Sequence, residues 1–499
     1  MSRPDVPKRR SSTPSSRSFF VYAGLHELPA GWLLAAILAA SGVALYPRHG
    51  RADATVAPAA TGTASAGDAP PDESLLGTVE VNGSAGGLPP LPKMAVVPIV
   101  ATGSADSIVN LVVRRDMTLS GQFEVLDPSA APSGPFTHST PLDLAAFRSH
   151  GAEYVLRVFA QPAANDSAKT ELVGEAYLAP APGQAGATRP GAAVEGTGSE
   201  PKPAFRAVTP TPTVEVRAAS HRLVDQLLGA LTGRPGGFAS EMAYAEKVGR
   251  WRRVYALDSD GFDLRAVGPI DATALSPAFG PGGQIFYALS RDYSPFRLVF
   301  GPDATLVPMA IPGSILGLAF NGDRSRVAVI AMDAGRSQLW MGDRGRLQPM
   351  DTPPLANHPV FGPLGKVAYT AGTPVQRVYV DGKPISPPGF MASAPVFCDT
   401  PNGLLVVYTV GTGVGADIVT TDANGGSLRR LTQHEGANTY AACSPDGRLI
   451  AFFSTGKRKA DGRGNGDAGG GLFVMPVQRP WLAKKISDEI GESLRWEPL

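Results

Sequence analysis

Residues 91–237 alternate short apolar stretches with amphipathic ones, which predicts a small α/β domain. Met94–Val100 is an apolar run typical of a buried strand. Ser107–Leu119 and Thr213–Thr232 repeat apolar residues every three to four positions, so both are predicted to be helices, the second with Thr213 as its cap and Gly233 as its end. The remaining predicted elements are strands at Phe123–Leu126, Tyr154–Ala160 and Leu172–Leu178 and a short helix over Pro141–His150.

From Phe238 onward the pattern changes to short strands and turns that repeat at intervals of about 40 residues. Ser276–Gly283 and Ser444–Gly447 both place a Ser-Pro pair and glycine ahead of an apolar strand, and degenerate copies lie between them. A unit of this length with four short strands is typical of a propeller blade, since one such sheet cannot bury both of its apolar faces alone. The equivalent anchor positions are Phe279, Phe320, Phe361, Phe397, Cys443 and Trp496.

The sixth copy, Leu494–Leu499, supplies only one strand. Strand-like stretches at Glu241–Ala245, Arg253–Leu257 and Asp263–Val267 precede the first copy and lack an inner strand. We therefore predict that the C-terminal strand completes the blade begun at residue 238 and removes open sheet edges. The predicted fold is an α/β N-terminal domain followed by an all-β six-bladed β-propeller, over residues 238–499, closed by the C-terminal strand.

Residues 1–54 have the features of a secretory signal peptide. The apolar stretch Gly31–Tyr46 follows several basic residues, is shorter than a membrane span, and precedes an Ala52-Asp53-Ala54 cleavage pattern. We expect cleavage after Ala54, no membrane span in the mature chain, and a location outside the cytoplasm. An uncleaved membrane anchor is the alternative, because the region before the apolar stretch is unusually long.

Residues 55–90 are rich in Ala, Gly, Pro and Thr, which predicts a flexible arm. Within the arm, Leu76–Asn82 has strand character and suits addition to the sheet edge of another protein, although it could equally be the first strand of the next domain. Residues 179–204 and 456–471 are predicted to be a disordered insertion and a flexible surface loop.

Charge and cysteine content exclude several classes of protein. Across 499 residues, 45 Lys and Arg balance 44 Asp and Glu, so there is no basic footprint and a nucleic-acid partner is not expected. Cys398 and Cys443 are the only cysteines, which excludes a disulfide scaffold and a cysteine-based zinc site. We expect them on neighbouring blades as free buried thiols, with a disulfide as the alternative in an oxidising compartment.

Two groups of residues carry candidate chemistry, and both have a structural interpretation. Asp258–Asp263 resembles a calcium loop but lacks the distal ligands, so a hairpin turn is predicted. His221 and Asp225 lie four residues apart on one predicted helix, but no third metal ligand is evident, so packing or a local hydrogen bond is predicted. With no nucleophile elbow, P-loop or His-Glu-x-x-His motif, we expect no catalytic residue, metal or cofactor.

Several motifs together resemble the TolB family, the periplasmic component of the Tol–Pal system in Gram-negative envelopes. The most specific is Leu231–Phe238, which is preceded by His221 and Asp225. The others are Tyr255–Gly261, Met94–Pro98, Ser120–Phe123 and the closing Trp496, Pro498 and Leu499.

The resemblance implies a scaffold and not an enzyme. It implies a Pal-like peptidoglycan-associated lipoprotein and a TolA-like inner-membrane protein as partners, with roles in outer-membrane integrity, protein import and constriction during cell division. By position, the TolA-binding-like segment comprises Leu76, Thr78, Val79, Glu80, Val81 and Asn82. The corresponding Pal-binding residues at the propeller mouth are Ser314, Ile315, Gly317, Asn357, His358, Asn438 and Thr439.

Two other functions fit the predicted fold. A propeller mouth accepts many ligands, so a sensor or binding module for cell-wall fragments is one alternative. A propeller hydrolase is the other, but the predicted inner strands offer mostly Ala, Pro, Phe and Ser in place of converging catalytic groups.

Overall fold

The computed structural model describes residues 72–78, 87–163, 166–180, 201–413, 415–433, 436–456 and 469–498. The predicted signal peptide, most of the predicted arm and the greater part of both predicted insertions lie outside these ranges. Among the described helices, none is long and apolar enough to cross a membrane.

The α/β domain is built on a five-stranded sheet in the order β2-β1-β3-β4-β5. β1 is parallel to both of its neighbours, whereas β3, β4 and β5 are antiparallel to one another. The strands are β1 Lys93–Val96, β2 Glu124–Val125, β3 Tyr154–Ala163, β4 Asp166–Leu178 and β5 Phe205–Pro212. The helices are α1 Ser104–Leu119, α2 Leu144–Ser149 and α3 Val216–Thr232.

Both faces of this sheet are covered, which explains the continuous apolar run in β1. Met94 and Val96 pack with α1 and α3 on one face. Ala95 and Val97 pack with Phe147 of α2 on the other, as the alternation of side chains along a strand requires. The predicted α/β character of residues 91–237 is thus realised as helices on both sides of a mixed sheet.

β5 is the element that the sequence pattern did not indicate. Its inward positions are small or polar, Ala207, Thr209 and Thr211, and Pro210 and Pro212 alternate with them. Proline is tolerated there because β5 is an edge strand. The third helix also begins later than predicted, since Thr213–Glu215 forms a 3-10 turn before α3.

Four four-stranded antiparallel sheets and one eight-stranded sheet make up the described part of the chain after residue 238. The eight-stranded sheet contains β6 Glu241–Val248, β7 Trp251–Asp258, β8 Arg265–Val267, β9 Thr273–Phe279, β10 Ile285–Ser290, β11 Arg297–Phe300, β12 Thr305–Leu306 and β29 Glu492–Trp496. The next two sheets contain β13 Ser314–Phe320, β14 Arg326–Asp333, β15 Arg336–Asp343 and β16 Arg346–Pro349, then β17 Asn357–Phe361, β18 Val367–Ala371, β19 Arg377–Val380 and β20 Lys383–Pro384. The last two contain β21 Ala392–Thr400, β22 Gly403–Thr412, β23 Gly415–Asp422 and β24 Arg429–Arg430, then β25 Asn438–Cys443, β26 Leu449–Ser454, β27 Gly471–Pro476 and β28 Lys484–Ser487.

The eight-stranded sheet consists of two four-stranded halves. β9 to β12 form one half, and β29, β6, β7 and β8 form the other; a single parallel pairing of Arg252 with Thr273 joins the halves. β29 pairs antiparallel with β6, with Trp496 opposite Met242 and Arg495 opposite Ala243. The C-terminal strand therefore pairs with the first strand after the α/β domain.

The first strands of successive sheets, β9, β13, β17, β21, β25 and β29, contact one another in this order, and β29 also contacts β9. Their shared surfaces form apolar clusters between adjacent sheets, so each sheet buries a face that it could not bury alone. The predicted anchor positions lie in these strands, and Phe279, Phe320, Phe361, Cys443 and Trp496 end theirs. The architecture of this region is therefore propeller-like.

Cys398 of β21 and Cys443 of β25 form a disulfide between adjacent sheets, with Cα atoms 5.4 Å apart. The prediction that the two cysteines lie on neighbouring sheets is confirmed, but the preferred prediction of free thiols is wrong. Since β21 and β25 are in contact, they bring the two cysteines within the Cα spacing that a disulfide requires.

Candidate interaction site

Each first strand carries a β-bulge three residues before its anchor position. A bulge turns a side chain away from the regular alternation of the strand and is common beside functional sites. At five of the six bulges the residue three positions before the anchor has a positive φ of 47 to 56° without being glycine. At the sixth bulge this residue is Gly317, whose φ is not positive. The five are Ser276, His358, Ala394, Tyr440 and Ser493. Each of these five conformations is energetically costly. The first strands therefore hold strained residues at the same position of the repeat, three residues before the anchor.

At this level His358 of β17 contacts Tyr440 of β25, although the sheet of β21 lies between their sheets in the strand order. The ring centroids are 6.0 Å apart with an interplanar angle of 63°. His358 is only 6% exposed, and its Nδ1 atom has no hydrogen-bond partner among the described residues. Burial, with the nearby Arg495 cation, lowers the pKa of His358 to about 3. His358 is therefore neutral at physiological pH.

The seven residues predicted to bind Pal fall into two groups. Ser314, Asn357 and Thr439 are partly buried and lie at or next to the start of their first strands. Ile315, Gly317, His358 and Asn438 are buried. The structure thus places all seven at the leading ends of first strands, but only the first group offers more than a small exposed fraction.

Asn438 is engaged inside the protein. Its amide donates to the Ala416 carbonyl and to Asp417 Oδ1, each at 3.3 Å. Asp417 also pairs with Arg430, which in turn lies 3.2 Å from Glu73 Oε2 of the N-terminal arm. Asn438 therefore belongs to a buried polar network that joins two sheets to the arm.

The described part of the arm docks on the sheet of β21 to β24. Residues Glu73–Leu76 form a 3-10 turn whose cap, Asp72, accepts a hydrogen bond from the Ser74 amide. Glu73 Oε1 accepts a hydrogen bond of 2.9 Å from the Gly413 amide. Leu76 is 1% exposed and packs in a cluster with Phe390 and other apolar residues.

The first residue of the predicted TolA-binding-like segment, Leu76, is thus docked on the propeller-like sheets. Leu76 is buried and Thr78 is exposed. Val79, Glu80, Val81 and Asn82 lie outside the described residues.

The two groups singled out for chemistry in the sequence meet where the α/β domain contacts the propeller-like sheets. Arg217 of α3 donates to Asp258 Oδ2 at 2.8 Å and to Asp260 Oδ1 at 2.6 Å. Arg115 of α1 donates to the Asp260 carbonyl at 2.9 Å. Both guanidinium groups lie over the Phe262 ring, at 4.7 and 4.6 Å. The predicted hairpin turn at Asp258–Asp263 is confirmed, and two helices hold it.

His221 of α3 pairs with Asp116 of α1, with Nδ1 and Oδ2 2.6 Å apart. Burial disfavours the His221 cation, but Asp116, Asp258 and Asp260 outweigh this effect and raise the pKa of His221 to about 10. Burial raises the pKa of Asp116 to about 6. With His221 protonated, the three carboxylates of this cluster face three cations, two of them the arginines of α1 and α3.

The same cluster has the residue types of a metal site. One ligand atom from each of His221, Asp258 and Asp260 lies within 4.8 Å of the others. Arg217 already binds both carboxylates, so an entering cation would have to displace a guanidinium group. The arrangement supports an ion-pair network between the two parts of the protein.

Asp225 fixes the junction between α3 and β6 and does not pair with His221. Its carboxylate accepts hydrogen bonds from the Phe238 and Ala239 amides at 2.8 and 2.9 Å. Burial raises its pKa to about 7. A Cβ atom at Gly236 would lie 2.4 Å from Asp225 Oδ1, so the close approach requires glycine. This explains Gly236 of the motif Leu231–Phe238.

Sequence reasoning missed Asp116, Glu73 and Arg495. Asp116 had a detectable signal, since it continues the apolar stripe of Val109, Val112 and Val113 at helical spacing. A carboxylate on a buried stripe indicates a buried partner. Glu73 and Arg495 lie far in sequence from the groups they contact, so local pattern gives no sign of their role.

Comparison with known proteins supports one family. Residues 79–173 match the TolB amino-terminal domain. The chain is 27% identical over 194 residues to the Tol-Pal system protein TolB of Methylococcus capsulatus, covering 38% of this chain and 40% of that protein. It is 26% identical over 204 residues to the protein of the same name from Thiobacillus denitrificans, covering 38% of this chain and 39% of that protein. The chain thus spans about two fifths of the length of these curated relatives.

The fold agrees with a solved structure. The crystal structure of TolB from Acinetobacter baumannii superposes with a TM-score of 0.63 at 18% sequence identity, covering 82% of this chain and 98% of that one. At this identity the match demonstrates the shared fold. The domain match, the sequence relatives and the common fold together confirm the similarity of this chain to the TolB family.

Proposed function

We propose that this protein is a scaffold of a Tol–Pal-type envelope system. The observation that carries the proposal is the combination of a TolB-like amino-terminal domain with propeller-like sheets in the arrangement of a TolB crystal structure. In this proposal the protein acts in the periplasm after export, performs no catalysis, and supports outer-membrane integrity and constriction during division. Arg217, His221 and Asp225 favour such a role, because their ion pairs and hydrogen bonds join the α/β domain to the propeller-like sheets.

The proposed scaffold is a closed six-bladed propeller. The pairing of β29 with β6 supports closure, since it completes a four-stranded sheet with β7 and β8. The contact of β29 with β9 supports it further, because it links the last first strand to the first. A closed ring presents loops at its two ends and leaves few open edges, which suits a docking platform.

The Pal-like lipoprotein is proposed to dock where the first strands begin. Ser314, Asn357 and Thr439 are the predicted contact residues that retain partial exposure there. The buried bulge residues His358 and Tyr440 form a rigid floor beneath them. A rigid docking surface reduces the entropy lost on binding.

The TolA-like partner is proposed to bind the arm beyond Thr78. Glu73 and Leu76 anchor the arm on the sheet of β21 to β24. The partner would therefore bind a segment whose N-terminal end is held on this sheet. Residues Thr78 to Asn82 alternate apolar and polar side chains, which suits pairing with a sheet edge.

Affinity capture from envelope extracts tests this function. The tagged full-length protein should capture a Pal-like lipoprotein and a TolA-like protein. A variant with Val79→Ser and Val81→Ser should lose only the TolA-like protein, whereas Asn357→Ala with Thr439→Ala should weaken only Pal capture. Val214→Ser, at an exposed residue of the α/β domain, is the matched control. A folded wild-type protein with no affinity for Pal would contradict the proposal.

A cavity favours a second function, a binding module for cell-wall fragments. It has a volume of about 360 Å³ and lies between the α/β domain and the sheet of β25 to β28. Trp481 and Arg479 line one side, and Phe123 and Gly121 line the other. An aromatic face beside a cation suits an anionic sugar-peptide. A melting temperature that rises with muropeptides, in a protein that ignores Pal, would favour this function.

A further inference from the structure

Arg495 of β29 extends to a strand of a distant sheet. Its Nη1 donates to the Leu494 carbonyl at 3.2 Å, and its Nη2 lies 3.5 Å from the Pro359 carbonyl of β17. The first distance is at the long end of the range for an N–H···O hydrogen bond and the second is beyond it. A guanidinium group has five N–H donors, so most of the hydrogen-bonding capacity of Arg495 is unused.

No carboxylate among the described residues pairs with Arg495. The two acidic residues nearest in sequence face other arginines: Glu492 is engaged by Arg252 at 2.6 Å, and Glu497 lies 4.0 Å from Arg324. Arg495 is partly buried, and this burial lowers the pKa of its guanidinium to about 10 with no opposing contribution from an acid. A cation removed from water without a counter-ion is unfavourable. The site therefore lacks a negative charge.

His358 supplies a second unsatisfied group beside Arg495. It directly precedes Pro359, whose carbonyl faces the guanidinium, and the Arg495 charge acts on its ring. Its Nδ1 atom is buried without a hydrogen-bond partner among the described residues. The repeated bulge sets the position of His358 through its positive φ of 47°. A partly buried cation without a carboxylate partner and an orphaned imidazole nitrogen thus lie near each other, where Arg495 of β29 approaches β17.

We propose that Arg495 and His358 form a binding site for a carboxylate group. The fork of the guanidinium matches the two oxygens of a carboxylate, and neutral His358 in its Nδ1–H tautomer donates a further hydrogen bond. The bulge positions around the site contribute Ser276, Gly317, Ala394, Tyr440 and Ser493, none of which carries a competing negative charge. The carboxylate belongs either to a small free acid or to an acidic side chain of a docked protein; the second source rests on the proposed function.

The primary experiment titrates the wild-type protein with sodium acetate and sodium glutarate at constant ionic strength, with sodium chloride as the reference. Nitrogen-15 NMR of the Arg495 Nε–H and of the His358 ring reports binding without any substitution. We expect saturable shifts at both groups with the carboxylates and none with chloride. Absence of saturable shifts with either carboxylate would overturn the small-acid form of the proposal.

Variants then test the assignment. Arg495→Gln should weaken acetate binding at least about tenfold, as expected for loss of a charged hydrogen-bonding group. The exposed Arg344→Gln should bind like the wild type. Equal binding by R495Q and the wild type would overturn the role of Arg495. Should R495Q not fold, the wild-type NMR titration alone decides.

A competition experiment identifies the source of the carboxylate. A purified Pal-like domain is added to the wild type and to R495Q, with and without saturating acetate. If Pal supplies the carboxylate, acetate weakens Pal binding to the wild type, and R495Q binds Pal weakly without responding to acetate. Acetate binding in a protein that ignores Pal supports the site for a free acid and contradicts the proposed partner. Absence of acetate shifts with Pal affinity unchanged in R495Q overturns the site and leaves the proposed partner intact.

Discussion

His221 and Asp116 join the two long helices of the α/β domain through a buried contact of 2.6 Å between Nδ1 and Oδ2. The pair lies against the turn that follows β7, because His221 Nε2 is also 3.6 Å from Asp258 Oδ2. One protonated imidazole therefore links the two helices to the turn after β7.

The first prediction concerns the pH dependence of this pair. The pKa of His221 is raised from 6.5 to about 10 in the folded protein, so its stabilisation is complete below pH 6.5 and is lost as the pH rises toward 10. We expect the free energy of unfolding, measured with urea, to fall between pH 7 and pH 10. His221→Gln should lower stability at pH 7 by about 3–5 kcal/mol and flatten this slope.

His150→Gln is the control for that experiment, because His150 is exposed at the end of α2. It should leave both stability and slope unchanged. A wild-type stability independent of pH over this window would show that the neighbouring carboxylates do not raise the pKa of His221.

The second prediction concerns the junction. Asp225→Ala removes the acceptor of the Phe238 and Ala239 amides and should destabilise the protein by about 2–4 kcal/mol, since two amides lose their partner. Asp225→Asn keeps one carbonyl oxygen as an acceptor, so it should destabilise the protein less than Asp225→Ala. Thermal unfolding measures both, with the exposed Glu215→Ala as control. Equal stability of the alanine variant and the wild type would contradict the assigned role.

The third prediction separates two adjacent leucines in the arm. Leu76 is 1% exposed and Leu75 is 64% exposed. Leu76→Ala should release the arm, because it removes most of the apolar surface that holds it, whereas Leu75→Ala should not. Hydrogen exchange at the Gly413 amide is the measurement, since Glu73 protects this amide. The same exchange rate in both variants would contradict the docked arm.

The fourth prediction concerns the disulfide. Cys398 and Cys443 are 45 residues apart, and closing a loop of this length stabilises a protein by about 4 kcal/mol in the chain-entropy description. Dithiothreitol should therefore lower the melting temperature of the wild type. The double variant Cys398→Ala with Cys443→Ala should already melt lower and ignore the reductant. A wild type that is insensitive to complete reduction would refute this contribution.

The fifth prediction concerns the pairing of β29 with β6. Trp496 Nε1 donates to Ser240 Oγ at 2.9 Å, and its ring packs in the core cluster that spans both parts of the protein. Trp496→Ala should cost about 3–5 kcal/mol, and Trp496→Phe, which loses mainly the hydrogen bond, about 1 kcal/mol. Chemical denaturation measures both. A stable alanine variant would contradict the importance of this strand for the fold.

The repeats could be predicted from the sequence because each copy has the same local pattern, an apolar strand that ends at an anchor residue and is followed by a turn. Phe279 and Trp496 illustrate this, since both end first strands. β5 could not be predicted, because Thr209 and Thr211 replace large apolar residues at its inward positions. An edge strand buries less apolar surface than a central strand, so the alternation of apolar and polar residues in its sequence is weaker.

The candidate site was harder to predict, because its contacts join residues that are distant along the chain. Arg495 lies 136 positions from Pro359, and Glu73 lies 340 positions from Gly413. His358 was identified by its position in the repeat, but its burial and orphaned nitrogen depend on neighbours from other sheets. The repeat placed Cys398 and Cys443 on neighbouring sheets, but free thiols were preferred to a disulfide because the sequence does not give the 5.4 Å spacing of their Cα atoms.

The hydrogen bond between Ser240 and Trp496 spans 256 positions. During synthesis, β6 emerges long before β29, and the edge of β6 that pairs with β29 stays unpaired throughout that interval. A second copy at high concentration can offer its own β29 to that edge, which makes strand exchange between molecules a competing outcome of folding. Slow synthesis of the chain that leads to β29, or a high concentration of other copies, would therefore shift the yield from monomers toward dimers that exchange this strand.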